Sequence, residues 1–276
     1  MQDRVVRFVL SSALALGLTL GAGTSAAAAP DPTACGQSPG QRFFWVERAF
    51  RDIPLLGPAR AQGVVIWNHG IHGTNESWRD PAPPVLRLLA ARGWDVVILK
   101  RHNLAETDAA HSLYRAVTRT RDEIRAQRAL GYTKIVLAGQ SFGGQVALDA
   151  AEHQPDVFAV VAFAPGMRAK SADGILDAAV TERQLSRIHG AARLALVLPG
   201  DDGLFGGVAR GPGADAALRA RGGPYVLLDE SSDARGHTGA TSGRFALRIG
   251  ESDGGVSLTW TSSDGRTRTV PLLRGE

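Results

Sequence analysis

The stretch Thr133-Lys134-Ile135-Val136-Leu137-Ala138-Gly139-Gln140-Ser141-Phe142-Gly143-Gly144-Gln145-Val146-Ala147-Leu148 decides the fold. Its first half is an apolar, β-branched run of strand length, and its second half passes through small residues into a helix start. Between them Ser141 stands two residues from a glycine on either side. That spacing is the signature of a sharp strand-to-helix turn, the nucleophile elbow, where a Cβ at the flanking positions would clash across the turn. The serine hydroxyl then stands at the carboxyl end of a strand. A helix beginning at Phe142 or Gly143 points free N–H groups at the same spot and favours negative charge developing there.

The five-residue spacing is weak alone in a chain with 33 glycines, and Gly250-Glu251-Ser252-Asp253-Gly254 repeats it. Context separates the two. Ser252 is followed by Gly255 and the alternating Val256-Ser257-Leu258-Thr259-Trp260, a turn entering a strand, so it reads as a loop residue.

Working outward from Ser141, apolar runs alternate with helical spacing. Gly63-Val64-Val65-Ile66-Trp67 is a buried strand running into the glycine-punctuated loop Asn68-His69-Gly70-Ile71-His72-Gly73. A helix is expected over residues 82–92, behind a group of prolines, and another strand from Trp94 to Leu99. Leu113, Ala116, Val117, Thr120, Ile124 and Gln127 mark a helix within 107–129. Beyond the elbow come a helix from Gly143 to His153, a strand from Val157 to Phe163, a helix around 175–188, and strands Arg193–Leu198 and Tyr225–Leu228. Upstream, residues 42–50 read as an edge strand. This alternation means an α/β domain with a mostly parallel central sheet and helices on both faces. Near the C-terminus Phe245–Ile249 fits a helix or a strand, and Val256–Thr261 with Thr267–Leu272 flank Asp264-Gly265 as a β-hairpin.

With 276 residues and 44% hydrophobic content, one substantial core accounts for the chain. Residues 1–28 are set apart as a signal peptide, since Arg4 and Arg7 precede the apolar run Phe8–Leu20 and small residues follow to Ala29. Residues 29–276 are then a single domain with a periplasmic or secreted address. The apolar run is short for a membrane span, so no stable membrane insertion is expected after cleavage. Cys35 is the single cysteine, and stability therefore rests on the core rather than on an internal disulfide. The formal charge of +4 loses one unit with the leader, because Arg4 and Arg7 leave together with Asp3. Such a small excess, without basic runs longer than Lys100-Arg101, argues against a nucleic-acid partner.

A serine hydroxyl attacks poorly at neutral pH, so it needs a histidine to take its proton, a carboxylate to orient that histidine, and donors for an oxyanion. His237 lies in Ser232-Asp233-Ala234-Arg235-Gly236-His237-Thr238-Gly239, a loop just past the strand 225–228. His153 and His189 sit at helix ends and read as capping or solvated residues. The strand 157–163 leads into Ala164-Pro165-Gly166-Met167 with no acid, whereas the strand 193–198 leads into Pro199-Gly200-Asp201-Asp202-Gly203. Leu204 and Phe205 follow Asp202 at two and three positions as apolar anchors, which favours Asp202 over Asp201; Asp229 or Glu230 would be next. His69 and His72 have no third ligand near them in sequence, so no metal site is expected, and the residues call for no cofactor.

The order Ser141, Asp202, His237, together with the elbow and the His69-Gly70 loop, resembles the α/β-hydrolase family, in the region of its small dienelactone-hydrolase-like and carboxylesterase-type members. The resemblance covers roughly residues 43–245. It implies an oxyanion hole formed by the backbone N–H groups of Phe142 and Ile71, with His69 a structural member of the loop. It further implies a serine esterase that forms an acyl-enzyme on a small-molecule ester, lactone or thioester; a silent binding domain of the same shape is the competing expectation. The chain departs from the family by a terminal hairpin where a helix is usual. The short segment after Phe163 implies a minimal cap and an open pocket for small to medium acyl groups.

Overall fold

Runs in which every residue is apolar become strands at the middle of a sheet, because only a strand covered on both faces hides both sets of its side chains. The computed structural model describes residues 44–72, 75–76, 78–101, 109–166, 178–205, 207–229, 235–239, 245–249, 256–261, 267–270 and 273–274. In chain order the elements are β1 (Phe44–Arg48), β2 (Val64–Asn68), β3 (Ile71–His72), β4 (Asn75–Glu76), α1 (Pro84–Ala90), β5 (Asp95–Arg101), α2 (Ala109–Leu130), β6 (Ile135–Gln140) and α3 (Phe142–Ala151). They continue with β7 (Val157–Phe163), α4 (Ala178–Arg187), β8 (Arg193–Val197), a 3₁₀ turn (Gly207–Arg210), α5 (Gly211–Arg221), β9 (Pro224–Leu228), β10 (Phe245–Ile249), β11 (Val256–Thr261), β12 (Thr267–Val270) and β13 (Leu273–Arg274).

The main sheet runs β1-β5-β2-β6-β7-β8-β9-β13. Every pairing from β5 to β9 is parallel, and the two edge strands β1 and β13 are antiparallel to their neighbours. Successive side chains of a strand point to opposite faces, and the core divides accordingly. Val64 and Ile66 of β2 join Leu137, Leu194 and Leu196 under α2, α3, α4 and α5. Val65 and Trp67 join Val136, Val161, Phe163, Val197 and Val226 on the face where α1 places Val85, Leu86 and Leu89.

That second face holds a departure from a plain helix layer. Strands β10, β11 and β12 form a separate antiparallel sheet, in which β10 lies along α1, β11 lies against β8 and β9, and β12 against β9. Phe245–Ile249 is therefore a strand, and the pair β11–β12 belongs to a three-stranded unit. Residues 167–177, where the minimal cap was expected, lie outside the described residues, as do the signal segment and the Asp264-Gly265 turn.

Other differences are local. The helix expected over 82–92 is shorter, since Pro84 starts α1 at its first turn, where a missing N–H costs nothing, and Gly93 takes a positive φ of 84° just past its end. Helix α5 and strands β3, β4 and β13 were not expected at all. Helix α5 begins with Gly211-Pro212-Gly213, which reads as a break but again seats proline in the first turn, and it stops at Gly222 in the left-handed conformation.

Helix α3 is buried along almost its whole length and carries a polar network at its far end. Gln145 Nε2 donates to Asp149 Oδ1 at 3.0 Å and also reaches Gln184 of α4. Burial and the neighbouring Glu152 push the Asp149 carboxyl up to about 7, against the Gln145 hydrogen bond and the charges of Arg121 and Arg187. The folded state thus holds a proton that the unfolded chain releases near pH 4, so the stability this group contributes is present below about pH 4 and lost as pH rises through about 7. Asp149→Asn keeps the acceptor and removes the charge. It is expected to stabilise the protein on the order of 1–3 kcal/mol at pH 8, with the gain vanishing towards pH 4, as thermal unfolding across that range would read out.

Candidate active site

Strand β6 ends at Gln140 and α3 starts at Phe142, leaving Ser141 to make the whole turn. It does so at φ 58° and ψ −129°, a conformation an L-residue holds only when its surroundings impose it. The glycines make this possible. A Cβ on Gly139 would lie 2.1 Å from the Gly143 carbonyl oxygen, and one on Gly143 would lie 2.0 Å from that of Asn68. The Ser141 N–H donates to the Phe163 carbonyl at 2.9 Å, and its own carbonyl accepts from Gln145 and Gly166 at 3.1 and 3.3 Å. Ser141 therefore sits at the carboxyl ends of β6 and β7, at the start of α3.

The loop after β8 brings Asp202 to His237. Asp202 Oδ2 is 3.1 Å from His237 Nδ1, while Oδ1 accepts the N–H groups of Leu204 and Phe205 at 3.0 and 3.3 Å. Burial raises the Asp202 carboxyl pKa, but the His237 hydrogen bond, the two backbone donors and the imidazole charge outweigh it and hold the group below its ordinary value. The carboxylate is thus ionised and oriented. Asp201, one residue earlier, faces solvent at φ 56° and pairs with Arg235 at 2.8 Å, both side chains being exposed. Asp229 lies against the start of α5, where a Cβ on Gly211 would come within 2.7 Å of its carboxylate, and Glu230 is outside the described residues.

The His237 segment is fixed on several sides. Gly236 N–H donates to the Gly200 carbonyl at 2.7 Å, and the Phe205 ring meets the imidazole edge-on at a 5.0 Å centroid distance. Gln140 Nε2 donates to the His237 carbonyl at 3.0 Å, which ties this loop to the residue before Ser141. His237 Nε2 is buried and has no hydrogen-bond partner among the described residues. A buried ring nitrogen without a partner calls for one, and catalytic hydrogen bonds often close only when substrate is bound.

On the other side of Ser141 lies the Asn68-His69-Gly70 turn. A Cβ on Gly70 would be 3.3 Å from the Ser141 Cβ, so the turn comes close to the serine at Gly70; the next residue, Ile71, is 37% exposed. His69 is buried. Its Nε2 accepts the Arg101 backbone N–H at 3.0 Å, which leaves Nδ1–H to donate to the Gly70 carbonyl at 2.9 Å. Burial first, and then the charges of Arg101 and Lys100, hold its pKa well below the usual imidazole value, so His69 is a neutral strut. Arg101 is fully buried, donates to Asn68 Oδ1 at 3.2 Å and to the His69 carbonyl, and stands 5.4 Å from the centre of the Phe142 ring.

Arg101 and Gln140 are the residues that sequence reasoning passed over. Arg101 stood out only as half of a basic pair, although a charged residue ending an apolar strand was the available signal. Gln140 occupies the free position of the elbow. Ser252 is outside the described residues. Among the described residues no group of three or more His, Cys, Asp or Glu side chains is placed to hold a metal ion, and no helix is long and apolar enough to cross a membrane.

With this geometry in hand, comparison with known proteins gives a consistent result for the fold. A family model described as the alpha/beta hydrolase fold matches residues 63–186. No curated protein sequence matches the chain. Among solved structures, a puromycin-hydrolysing peptidase of Mycobacterium tuberculosis is 14% identical with a TM-score of 0.51, over 70% of this chain and 34% of the peptidase. The Pyrococcus furiosus esterase Pf2001 is 14% identical with a TM-score of 0.46, over 64% of this chain and 75% of the esterase. A dienelactone-hydrolase-like promiscuous phosphotriesterase, P91 from metagenomic libraries, is 19% identical with a TM-score of 0.42, over 61% and 70%. The fold of this chain is that of the α/β hydrolases. At such identities the likeness speaks for the fold alone, and the chain spans only about a third of the peptidase.

Proposed function

We propose that the protein is an exported serine hydrolase that cleaves small to medium carboxylic esters, with lactones and thioesters within reach of the same chemistry. The observation that carries this reading is the part-buried Asp202–His237 hydrogen bond, with the opposite imidazole nitrogen unpartnered, in a loop held against the turn that presents Ser141. Asp202 keeps the proton of the neutral imidazole on Nδ1, so Nε2 is the basic nitrogen. Nε2 accepts the Ser141 proton as Oγ attacks the ester carbonyl. The oxyanion is met by the N–H groups of Phe142 and Ile71. The imidazolium then protonates the departing alcohol, and a water molecule, deprotonated by the same nitrogen, releases the acid from Ser141. Arg4 and Arg7 ahead of the apolar run Phe8–Leu20 support the exported part of this reading, a periplasmic or secreted address.

A fluorophosphonate probe tests the reading directly. Covalent adduct on Ser141 of the folded protein is the expected result; folded protein that takes no label would make the chain a silent binding domain of the same shape.

The acyl group follows from the surroundings of Ser141. Phe205 fills the space beside His237, and its ring lies so close to Gly166 that a Cβ there would come within 2.5 Å. Turnover of p-nitrophenyl esters is therefore expected to be fastest from acetyl to about butyryl and to fall for longer chains, because a long chain has to displace this ring. A rate that climbs steadily to the palmitoyl ester would rule out such a pocket.

A further inference from the structure

The hydrogen bond from Gln140 to His237 joins residues 97 apart in sequence. The His237 carbonyl can only accept, so the amide nitrogen of Gln140 must be the atom turned towards it. The amide oxygen points to the other side of the site and lies 3.3 Å from where a Cβ on Gly70 would stand. That same position is 3.3 Å from the Gln140 carbonyl oxygen and from the Ser141 Cβ. Gln140 thus bonds the loop bearing the candidate base, lies near the turn that precedes one candidate oxyanion donor, and is joined by its own peptide to the candidate nucleophile.

We infer that Gln140 is a positioning residue that sets the depth of the His237 imidazole relative to Ser141, an inference that rests on the serine-hydrolase reading above. The Asp202 contact fixes which way the imidazole faces but leaves its loop free to slide along the direction of that bond. Gly236 N–H to the Gly200 carbonyl anchors the loop to the strand end on the Asp202 side. Gln140 is the anchor from the Ser141 side. Its own place is set rigidly, because it is the last residue of β6, in register with Phe163 of β7 and followed by the constrained turn at Ser141. A donor mounted on that strand moves with the nucleophile, so the base and the nucleophile keep their separation whatever the rest of the loop does. Its amide also lies near Gly70, where an added Cβ would crowd it at 3.3 Å.

The test is Gln140→Met, which keeps the length of the side chain but removes the donor. The expected result is a melting temperature close to that of the parent protein, KM for p-nitrophenyl acetate within about twofold, and kcat lower by about 10- to 100-fold, the scale on which a displacement of about 1 Å acts on a reacting group. The rate of fluorophosphonate labelling of Ser141 should fall by the same factor. Gln140→Asn retains the donor on a side chain one methylene shorter and should not restore the rate. Parent-like kcat and labelling in Gln140→Met would overturn the role of Gln140 while leaving the serine-hydrolase reading intact. A parent protein that neither labels nor turns over esters would overturn that reading and this role with it.

Discussion

Ser141→Ala is expected to lower kcat by roughly 10⁴- to 10⁶-fold, leaving only what the oxyanion donors and substrate binding provide. The size of the effect follows from the turn itself. Ser141 is held in a conformation that an L-residue rarely adopts, between glycines whose replacement would drive atoms into the Gly143 and Asn68 carbonyls, and nothing about stability asks for a hydroxyl there. Alanine fits the same backbone, so the variant should fold and melt like the parent while losing both turnover and the fluorophosphonate adduct. Ser252→Ala serves as the control. It should leave turnover within about twofold, and abolition of activity by this change instead would mean that the wrong serine had been chosen.

The second large effect separates two adjacent acids. Asp202→Asn is expected to cost about 10⁴ in kcat, by analogy with the serine-protease case in which loss of the charge allows the wrong imidazole tautomer. Asp202 Oδ2 is the atom that holds His237 Nδ1, and the two N–H groups on Oδ1 fix the carboxylate plane. With Asn, the amide nitrogen can turn to His237 and force Nδ1 to accept, which puts the proton on the nitrogen that should receive one from Ser141. Asp201→Asn removes only an exposed ion pair with Arg235 and should change kcat by less than about twofold, since such pairs are worth little in solvent. Steady-state kinetics on the two variants decide it. Collapse in Asp201→Asn with normal rates in Asp202→Asn would reverse the roles.

The sequence makes the middle of this fold easy to see, for a physical reason. Strands β2, β5, β6, β7 and β8 are covered on both faces, so their apolar runs are continuous, and each is bounded by glycine or proline. The periphery is harder. Phe245-Ala246-Leu247-Arg248-Ile249 carries apolar residues at spacings that suit either period, and the choice of strand is made by pairing with Val256–Thr261, which the five residues themselves do not encode. Helix α5 hides behind Gly211-Pro212-Gly213. At the site, Ser141 and His237 stand out because turn sterics and position after a strand leave local marks. Asp202 is favoured in the sequence by the apolar pair that follows it, of which Phe205 packs against the His237 ring. Leu204 is 45% exposed, so it is the backbone N–H groups of Leu204 and Phe205 that hold the carboxylate. Gln140 and Arg101 act through hydrogen bonds across 97 and 33 residues, and contacts of that kind leave no periodicity to read.

The three-stranded sheet β10-β11-β12 has a consequence for how the chain is made. Strands β8 and β9 have their second face against backbone that is synthesised after them, and β13, at residues 273–274, closes the free edge of β9. A ribosome adding about 5–20 residues per second therefore exposes the apolar side of Ala195, Val197, Val226 and Leu228 for seconds before the covering strands exist. The antiparallel pairing of β13 with β9 joins ends that are far apart in sequence and is slow to form. Until those strands arrive the nascent chain cannot complete its core, and the face that β10–β12 will cover stays open.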